Sequence, residues 1–252
     1  MKIISWNVNG IRANYKKGFV DFIKKAKPDI FCAQEIKAEI DQIPEDILNL
    51  SEYKYFINPA KKKGYSGTIV LSKKEPKKYN FSMGDERFDQ EGRIIKLDFK
   101  EFTLINFYIP QGGRKKENLQ YKLDSYKKIF SSLKKIKQKN IILIGDFNIA
   151  HQEIDLARPR ENKNNIMFTA EERKMIDRII DLGFADTFRK FNKKEGSYSW
   201  WPYFANARER NLGWRIDYVF VSKSLIKKVK KAFILNKVYG SDHCPVGIEL
   251  EI

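Results

Sequence analysis

The stretch Ile141-Ile142-Leu143-Ile144-Gly145-Asp146-Phe147-Asn148 decides the fold class. Four consecutive β-formers bounded by a glycine read as a buried strand rather than a short helix. A carboxylate and a carboxamide follow, two residues apart. Side chains alternate along an extended backbone, so Asp146 and Asn148 share one direction if the strand runs on. The strand would then carry one charge and one amide off its end, where α/β sheets collect ligands. The same residues read equally well as a Gly-Asp turn that Asn148 caps.

Outward from this strand, Lys2–Asn7, Asp29–Gln34, Tyr53–Asn58 and Thr68–Ser72 have strand character, and Arg93–Phe99 pairs with Phe102–Tyr108 as a hairpin. Gly18–Lys27 has helical periodicity and stops at Pro28. Glu117–Lys137 is a long helix with Leu119, Leu123, Tyr126, Ile129, Phe130, Leu133 and Ile136 on one stripe. Thr169-Ala170-Glu171-Glu172 is a capping box that starts a helix running to Leu182. Tyr198–Phe204 is an aromatic loop, and Arg215–Val221, Ala232–Leu235 and Val246–Ile252 read as strands. No low-complexity linker divides the chain, so residues 1–252 are expected to form one α/β domain with two packed sheets and helices outside.

The length of 252 residues is enough for a sizeable core, and 42% hydrophobic with 32% charged residues fits a globular protein in water. No apolar run approaches the roughly 18 residues of a membrane span, and the strand-like start at Met1–Trp6 lacks the apolar core of a secretory signal. Cys32 and Cys244 have no metal-type spacing and read as small apolar core residues, so a reduced cytoplasmic compartment is expected. Lysine and arginine number 49 against 32 acidic residues, a net charge of +17. Runs such as Lys61-Lys62-Lys63 read individually as solvated faces, but an excess this large favours a polyanion and salt-dependent binding.

Several strand ends carry one kind of cargo: Asn7 and Asn9, Glu35, Tyr108, Asp146 and Asn148, Asp217, and Asp242-His243. One acidic strand end means little. Six bearing hard oxygen or imidazole groups suggest one site for a hard cation, magnesium or manganese rather than zinc. Two histidines do not supply a histidine-rich zinc site.

These motifs, Trp6-Asn7-Val8-Asn9-Gly10, Gln34-Glu35, Asn106-Phe107-Tyr108-Ile109-Pro110, Gly145–Asn148, Asn211–Asp217 and Ser241-Asp242-His243, resemble the exonuclease III family of apurinic/apyrimidinic endonucleases. That family lies within the endonuclease/exonuclease/phosphatase superfamily, and the likeness runs from residue 2 to about residue 250. The narrower marks are Ala150–Asp155, Asn206-Ala207-Arg208 and Leu212–Arg215, which separate the abasic-site branch from lipid and inositol phosphatases.

The resemblance implies two packed mixed β-sheets flanked by helices, a four-layer α/β sandwich. It implies Mg²⁺-dependent hydrolysis, with Mn²⁺ as a substitute, of the phosphodiester 5′ to an abasic site in duplex DNA. Side activities would be those of a 3′-phosphodiesterase and a 3′→5′ exonuclease on blocked 3′ ends. The implied protein is a monomer, cytoplasmic, on the bacterial nucleoid and free of membrane. The alternatives are an exodeoxyribonuclease acting mainly on duplex 3′ ends, a phosphomonoesterase of the superfamily, and a DNA-binding module with a decayed site.

Glu35 is the implied metal ligand, with Asn7 and Asn9 orienting or water-bridging the ion, and Asp242, Asp146, Asn148 and His243 around it. Asp146 would act on the attacking water beside Asn148, as its general base or as its orienter with His243 as the proton's alternative acceptor. Asp217 would orient His243 so that its other ring nitrogen donates to the phosphate, with Tyr108 also meeting the developing charge. Trp200 and Trp214 would wall a pocket for the flipped sugar, a lesion that is cheap to unstack. Phe204 and Arg114 would enter the duplex. Asn162 and Asn165 would contact the flipped phosphate and nearby backbone. Arg12, Lys61 and Tyr65 are candidate phosphate contacts. His151 and Asp155 would support the site from behind, and Trp201 reads as core.

Overall fold

The computed structural model describes all residues, Met1–Ile252. The chain runs through β1 (Lys2–Asn7), α1 (Ile11–Tyr15), α2 (Phe19–Ala26), β2 (Ile30–Gln34), α3 (Glu45–Leu48), β3 (Lys54–Asn58), β4 (Thr68–Ser72), β5 (Lys78–Asn80), α4 (Glu86–Gln90) and β6 (Ile94–Asp98). It continues through β7 (Thr103–Tyr108), α5 (Leu119–Lys134), β8 (Ile141–Asp146), α6 (Ala170–Asp181), β9 (Phe184–Asp186), α7 (Thr187–Phe191), β10 (Asp217–Ser222), β11 (Val229–Ile234) and β12 (Val246–Leu250). The elements expected from periodicity are all present, with ends moved by at most three residues. The short α1, α3, α4, α7, β5 and β9 carry too few residues to show a period.

Two six-stranded mixed sheets form, in the orders β11-β12-β1-β2-β4-β3 and β5-β6-β7-β8-β10-β9. Each has one parallel pair at its centre, β1 with β2 and β7 with β8, and antiparallel neighbours outside. The sheets face each other through Ile3, Ile30, Cys32 and Val70 of the first and Ile95, Leu104, Ile142, Ile144 and Val219 of the second. Phe19, Ile23 and Ile47 cover the outer face of the first sheet, and Tyr126, Ile129, Ile176 and Ile179 that of the second. The expected four layers are therefore the observed architecture. Each fully buried Ile or Val contributes roughly 1.5–3 kcal/mol, against about 0–1 kcal/mol for an exposed ion pair. The apolar layers, not the many surface lysines, hold the sheets together.

The parallel pairs fix where chemistry can sit. Both crossovers return to the same edge, so Asn7, Gln34, Tyr108 and Asp146 all lie at carboxyl ends of central strands. Register pairs Tyr108 with Asp146 and Asp146 with Asp217. A clasp of buried amides joins the sheets just below: Gln34 Nε2 donates to Ser5 Oγ at 2.9 Å and to Asn106 Oδ1 at 2.7 Å.

Gly145 is the reason β7 and β8 approach so closely at this end. Its φ is +133°, and a Cβ there would lie 2.0 Å from the Phe107 carbonyl oxygen. Gly145→Ala is expected to lower unfolding free energy by about 2–4 kcal/mol through overpacking and backbone strain. Urea unfolding tests this; a loss below ~1 kcal/mol would show that the strands can part without harm.

Candidate active site

The strand of the opening motif ends at Asp146, and Asn148 takes a left-handed φ of +53°. The extended reading that would send Asp146 and Asn148 the same way is therefore corrected. The chain turns instead, and the turn is built by the acid itself, because the Asn148 N–H donates to Asp146 Oδ1 at 2.8 Å. Turn and site are one arrangement. Asp146 Oδ1 holds the turn, while Oδ2 accepts from Asn148 Nδ2 at 3.1 Å and Asn7 Nδ2 at 2.9 Å. Asn148 is held further by donation to the Ile109 carbonyl at 2.9 Å.

Asn7 Nδ2 also donates to Glu35 Oε2 at 3.0 Å, so one amide draws two carboxylates to one place. Asn9 and Glu35 take left-handed φ values of +45° and +57°, the conformational strain that collects at functional sites. The Lys37 ammonium bridges Glu35 Oε1 at 2.8 Å and Asn9 Oδ1 at 2.6 Å. Asn9 Nδ2 donates to Asp242 Oδ1 at 2.9 Å, and Trp200 Nε1 to Asp242 Oδ2 at 3.0 Å. Burial works against the Asp242 charge, but nearby His243 and these donors hold its carboxyl below the usual range.

His243 lies between two acids. Its Nδ1 is 2.9 Å from Asp217 Oδ2, and its Nε2 is 3.9 Å from Asp146 Oδ2. Ser199 Oγ donates to the same Asp217 oxygen at 2.7 Å, which fixes the carboxylate. The other oxygen, Asp217 Oδ1, is buried without a partner. Burial opposes the imidazolium, but the Asp217 charge and hydrogen bond, with Asp146 beyond, raise the His243 pKa. Burial, with Asp217 nearby, pushes Asp146 up; His243, Asn7 and Asn148 only partly counter it.

Tyr108 sits beside Glu35, and burial and that charge raise its pKa, so it is a neutral phenol. Behind it, buried Arg93 donates to the Tyr108 carbonyl at 3.0 Å, to Tyr65 Oη at 2.9 Å and to Glu91 at 2.5 Å. The guanidinium lies 4.7 Å from the Tyr108 ring centre.

These groups open into a cleft of about 980 Å³. Trp200 and Trp214 form one wall, with ring centres 6.4 Å apart and planes at 77°. The Trp200 backbone pairs with both Trp214 and His243, so the wall is tied to that histidine. Phe204 and Tyr203 stand at the rim, 67% and 74% exposed, while Trp201 is core as expected. Arg114, Asn162 and Asn165 line the cleft. Asn162 is fixed by donation to the Ala157 and Arg158 carbonyls, and Asn165 donates to Asn162.

Other expected residues lie elsewhere. Arg12 does not line the cleft; exposed on α1, it reaches the Lys37 carbonyl at 3.4 Å. Lys61 and Tyr65 line a separate hollow beside Arg87 and Glu91. His151 pairs its ring with Asp177 of α6 at 2.7 Å rather than with a site residue. Asp155 does brace the loops, accepting from Arg215 Nε at 2.8 Å and Arg189 Nη2 at 2.6 Å.

Arg93, Ser199 and Lys37 were not anticipated, and neither was a buried ion pair behind the site. Lys122 and Glu172 are fully buried and paired at 2.5 Å. Lys122 also donates to the carbonyls of Asn148 at 2.6 Å and Gln111 at 3.1 Å. The available signal was a lysine inside the α5 apolar stripe, three residues after Leu119 and four before Tyr126. Glu172 does complete the expected capping box with Thr169, and the ion pair is its second task.

Residues that could hold a metal offer carboxylate and amide oxygens and one imidazole. Asp146, Asp217 and His243 present ligand atoms within 4.8 Å of one another, and Asn7 brings Glu35 and Asp146 together. This donor set, with one buried carboxylate oxygen still unpartnered, fits a hard divalent cation.

Residues 4–243 match the Endonuclease/Exonuclease/phosphatase family. The chain is 45% identical, over the full length of both, to a protein of Bacillus subtilis named exodeoxyribonuclease. It is 41% identical to a DNA-(apurinic or apyrimidinic site) endonuclease of Dictyostelium discoideum, with all of this chain and 71% of that protein covered. The solved AP endonuclease of Archaeoglobus fulgidus superposes with a TM-score of 0.90 at 30% identity, covering both chains fully. The two paired sheets, the acids gathered at their strand ends and these likenesses place the chain in the endonuclease/exonuclease/phosphatase family, as a hydrolase of its exonuclease III type.

Proposed function

We infer that the protein hydrolyses the phosphodiester 5′ to an abasic site in duplex DNA with Mg²⁺, Mn²⁺ substituting. One observation carries this reading. The Asp217–His243–Asp146 array opens directly into a cleft walled by Trp200 and Trp214, so phosphate chemistry and a pocket for a small, apolar-faced sugar share one space. The charge of +17 suits a polyanion.

Glu35 would hold the ion, with Asn7 and Asp146 adjoining; when bound it would neutralise charge on the phosphate and its leaving oxygen. Asp146, with its Oδ2 free of any lysine or arginine, orients the attacking water and takes its proton. Asn148, with its Nδ2 hydrogens given to Asp146 and the Ile109 carbonyl, leaves Oδ1 to accept from that water. Asp217 fixes Nδ1–H of His243, which leaves Nε2 to donate toward the phosphate. The neutral Tyr108 phenol donates to the same developing charge. Trp200 and Trp214 receive the sugar, and an intact nucleotide would need room for its base.

Residues 1–252 would act as one domain and a monomer, on nucleoid DNA in the cytoplasm. A second reading, favoured by the exodeoxyribonuclease of Bacillus subtilis, has the same site act mainly on duplex 3′ ends. Both activities use the same atoms, so substrates separate them.

The test is a duplex with one internal abasic analogue, run beside a duplex with a 3′-phosphoglycolate end. A nick 5′ to the lesion is expected with Mg²⁺, none with EDTA, and full recovery when Mg²⁺ is restored. Turnover of the 3′ end alone would favour the second reading, and no metal-dependent cleavage of either would defeat both. Phe204 is expected to wedge the duplex. Phe204→Ala should therefore weaken lesion-duplex binding in EDTA about tenfold, roughly 1.4 kcal/mol. An unchanged dissociation constant by fluorescence anisotropy would remove the wedge.

A further inference from the structure

Arg208, from the Asn206-Ala207-Arg208 motif, touches neither the cleft nor any acid of the site. It sits in the turns after the aromatic loop, where Ala205 and Asn206 take left-handed φ values of +58° and +50°. Its guanidinium stacks on Trp201 at 4.6 Å and on Tyr239 at 4.4 Å. Its N–H groups donate to three carbonyls of one segment: Asn236 at 3.0 Å, Val238 at 2.5 Å and Ser241 at 3.0 Å. That segment leads straight into Asp242 and His243.

The geometry has a chemical reason. Carbonyls in a segment without regular structure need donors from elsewhere. A planar fork can serve three of them while its faces stack on two aromatic rings; a lysine ammonium cannot. On the other side of the same junction, the Trp201 N–H donates to the Asp242 carbonyl at 3.0 Å, and Trp200 Nε1 to the Asp242 carboxylate. The wall of the sugar pocket and the catalytic histidine are thus held in one frame, and Arg208 is its brace.

We propose that Arg208 is a positioning residue, which sets the Asp242-His243 segment against the aromatic wall so that His243 meets the phosphate of a seated lesion. The proposal rests on the abasic-site reading above. It assigns to Arg208 a contribution to turnover rather than to binding, because the residue reaches the substrate only through His243 and Asp242.

Arg208→Ala and Arg208→Lys test it, beside the wild-type chain. Arg208→Ala is expected to lower kcat about 30-fold, within the range for residues that orient site groups from behind. KM and duplex affinity in EDTA should stay within about 3-fold, since groups that bind uniformly are untouched. The vacated space adjoins a groove of about 300 Å³ lined by Trp201 and Tyr239. Guanidinium chloride at tens of millimolar should therefore raise the kcat of Arg208→Ala about 5-fold or more, and equal NaCl should not. Hydrogen exchange of residues 236–243 should quicken in Arg208→Ala and slow again with guanidinium. Arg208→Lys should remain at least about 5-fold impaired, lacking the planar fork.

A kcat within about 3-fold of wild type overturns the proposal, as does a loss confined to KM. Insensitivity to guanidinium with faster exchange along the whole chain would mean general support of the fold, and also overturns it. If Arg208→Ala does not fold, Arg208→Lys decides alone, and wild-type kcat in that variant refutes the brace. Failure of the wild-type chain to nick the lesion would instead sink the functional reading, while the exchange of residues 236–243 still tests the brace.

Discussion

Asp146→Asn is expected to lower kcat roughly 10³-fold, about 4 kcal/mol of barrier, the usual scale for losing a positioned proton acceptor. The substitution keeps the shape of the turn, because an amide oxygen can still accept the Asn148 N–H that now reaches Asp146 Oδ1. It removes the acceptor charge that a water in that position would use. Binding of the lesion duplex in EDTA should be retained, since the tryptophan wall and the cleft rim are untouched.

The same variant, when metal-free, should gain in stability relative to wild type as pH rises. Burial and the neighbouring Asp217 raise the Asp146 pKa above its unfolded value. The unfolded chain therefore gives up this proton more readily than the folded one. Stability from the group is present at low pH and falls as pH rises from the ordinary aspartate range through the raised value. Asparagine carries no such charge, but its amide Nδ2 would face the Asn7 and Asn148 donors that now reach Oδ2, a cost that does not vary with pH. The Tm of the variant minus that of wild type should therefore rise between about pH 4 and about pH 7.5. A Tm difference that stays constant across that range would mean that the folded state does not raise this carboxyl.

Much of this site could be read along the chain because its acids sit at strand ends, and strand ends leave a local trace. Glu35 follows a buried apolar strand, Asp146 follows another, and His243 comes just before a third. The fold was legible for a related reason. The long apolar runs have clear periods, and their length sets two sheets with helices outside. What local pattern could not show was pairing across the chain. Nothing near Arg93 announces that it stacks beneath Tyr108, and nothing near Ser199 announces its hydrogen bond to Asp217. Arg12 stands close to Asn7 and Asn9 in the chain, but α1 turns it out to solvent and away from the cleft lining. Asn148 shows the finest limit. Its neighbour relation to Asp146 was right, but the left-handed turn that creates it is a single-residue event with no period.

Lys122→Met is expected to destabilise the protein by about 3–5 kcal/mol, the cost of leaving one member of a buried ion pair alone. Lys122 and Glu172 are both fully buried, so no water can replace the lost ammonium. Three acceptors would be stranded at once: the Glu172 carboxylate and the carbonyls of Asn148 and Gln111. Methionine fills similar volume and adds no cavity of note, which isolates the electrostatic loss. Adding Glu172→Gln should recover part of the loss, because the amide no longer buries a charge. The recovery is partial, because the amide keeps only one of the two oxygens that now accept from the Met167 and Thr169 N–H groups. The double variant should therefore be more stable than Lys122→Met alone by at least about 1 kcal/mol, the coupling expected of groups in contact. Its kcat should still fall, since the Asn148 carbonyl has lost the tether that fixes the turn beside Asp146. Urea unfolding and single-turnover cleavage measure the two effects separately. A single variant costing under about 1 kcal/mol would mean that Glu172 takes up a proton without penalty. A double variant with wild-type kcat would mean that the turn at Asp146 holds itself, through the Asp146–Asn148 and Asn148–Ile109 hydrogen bonds alone.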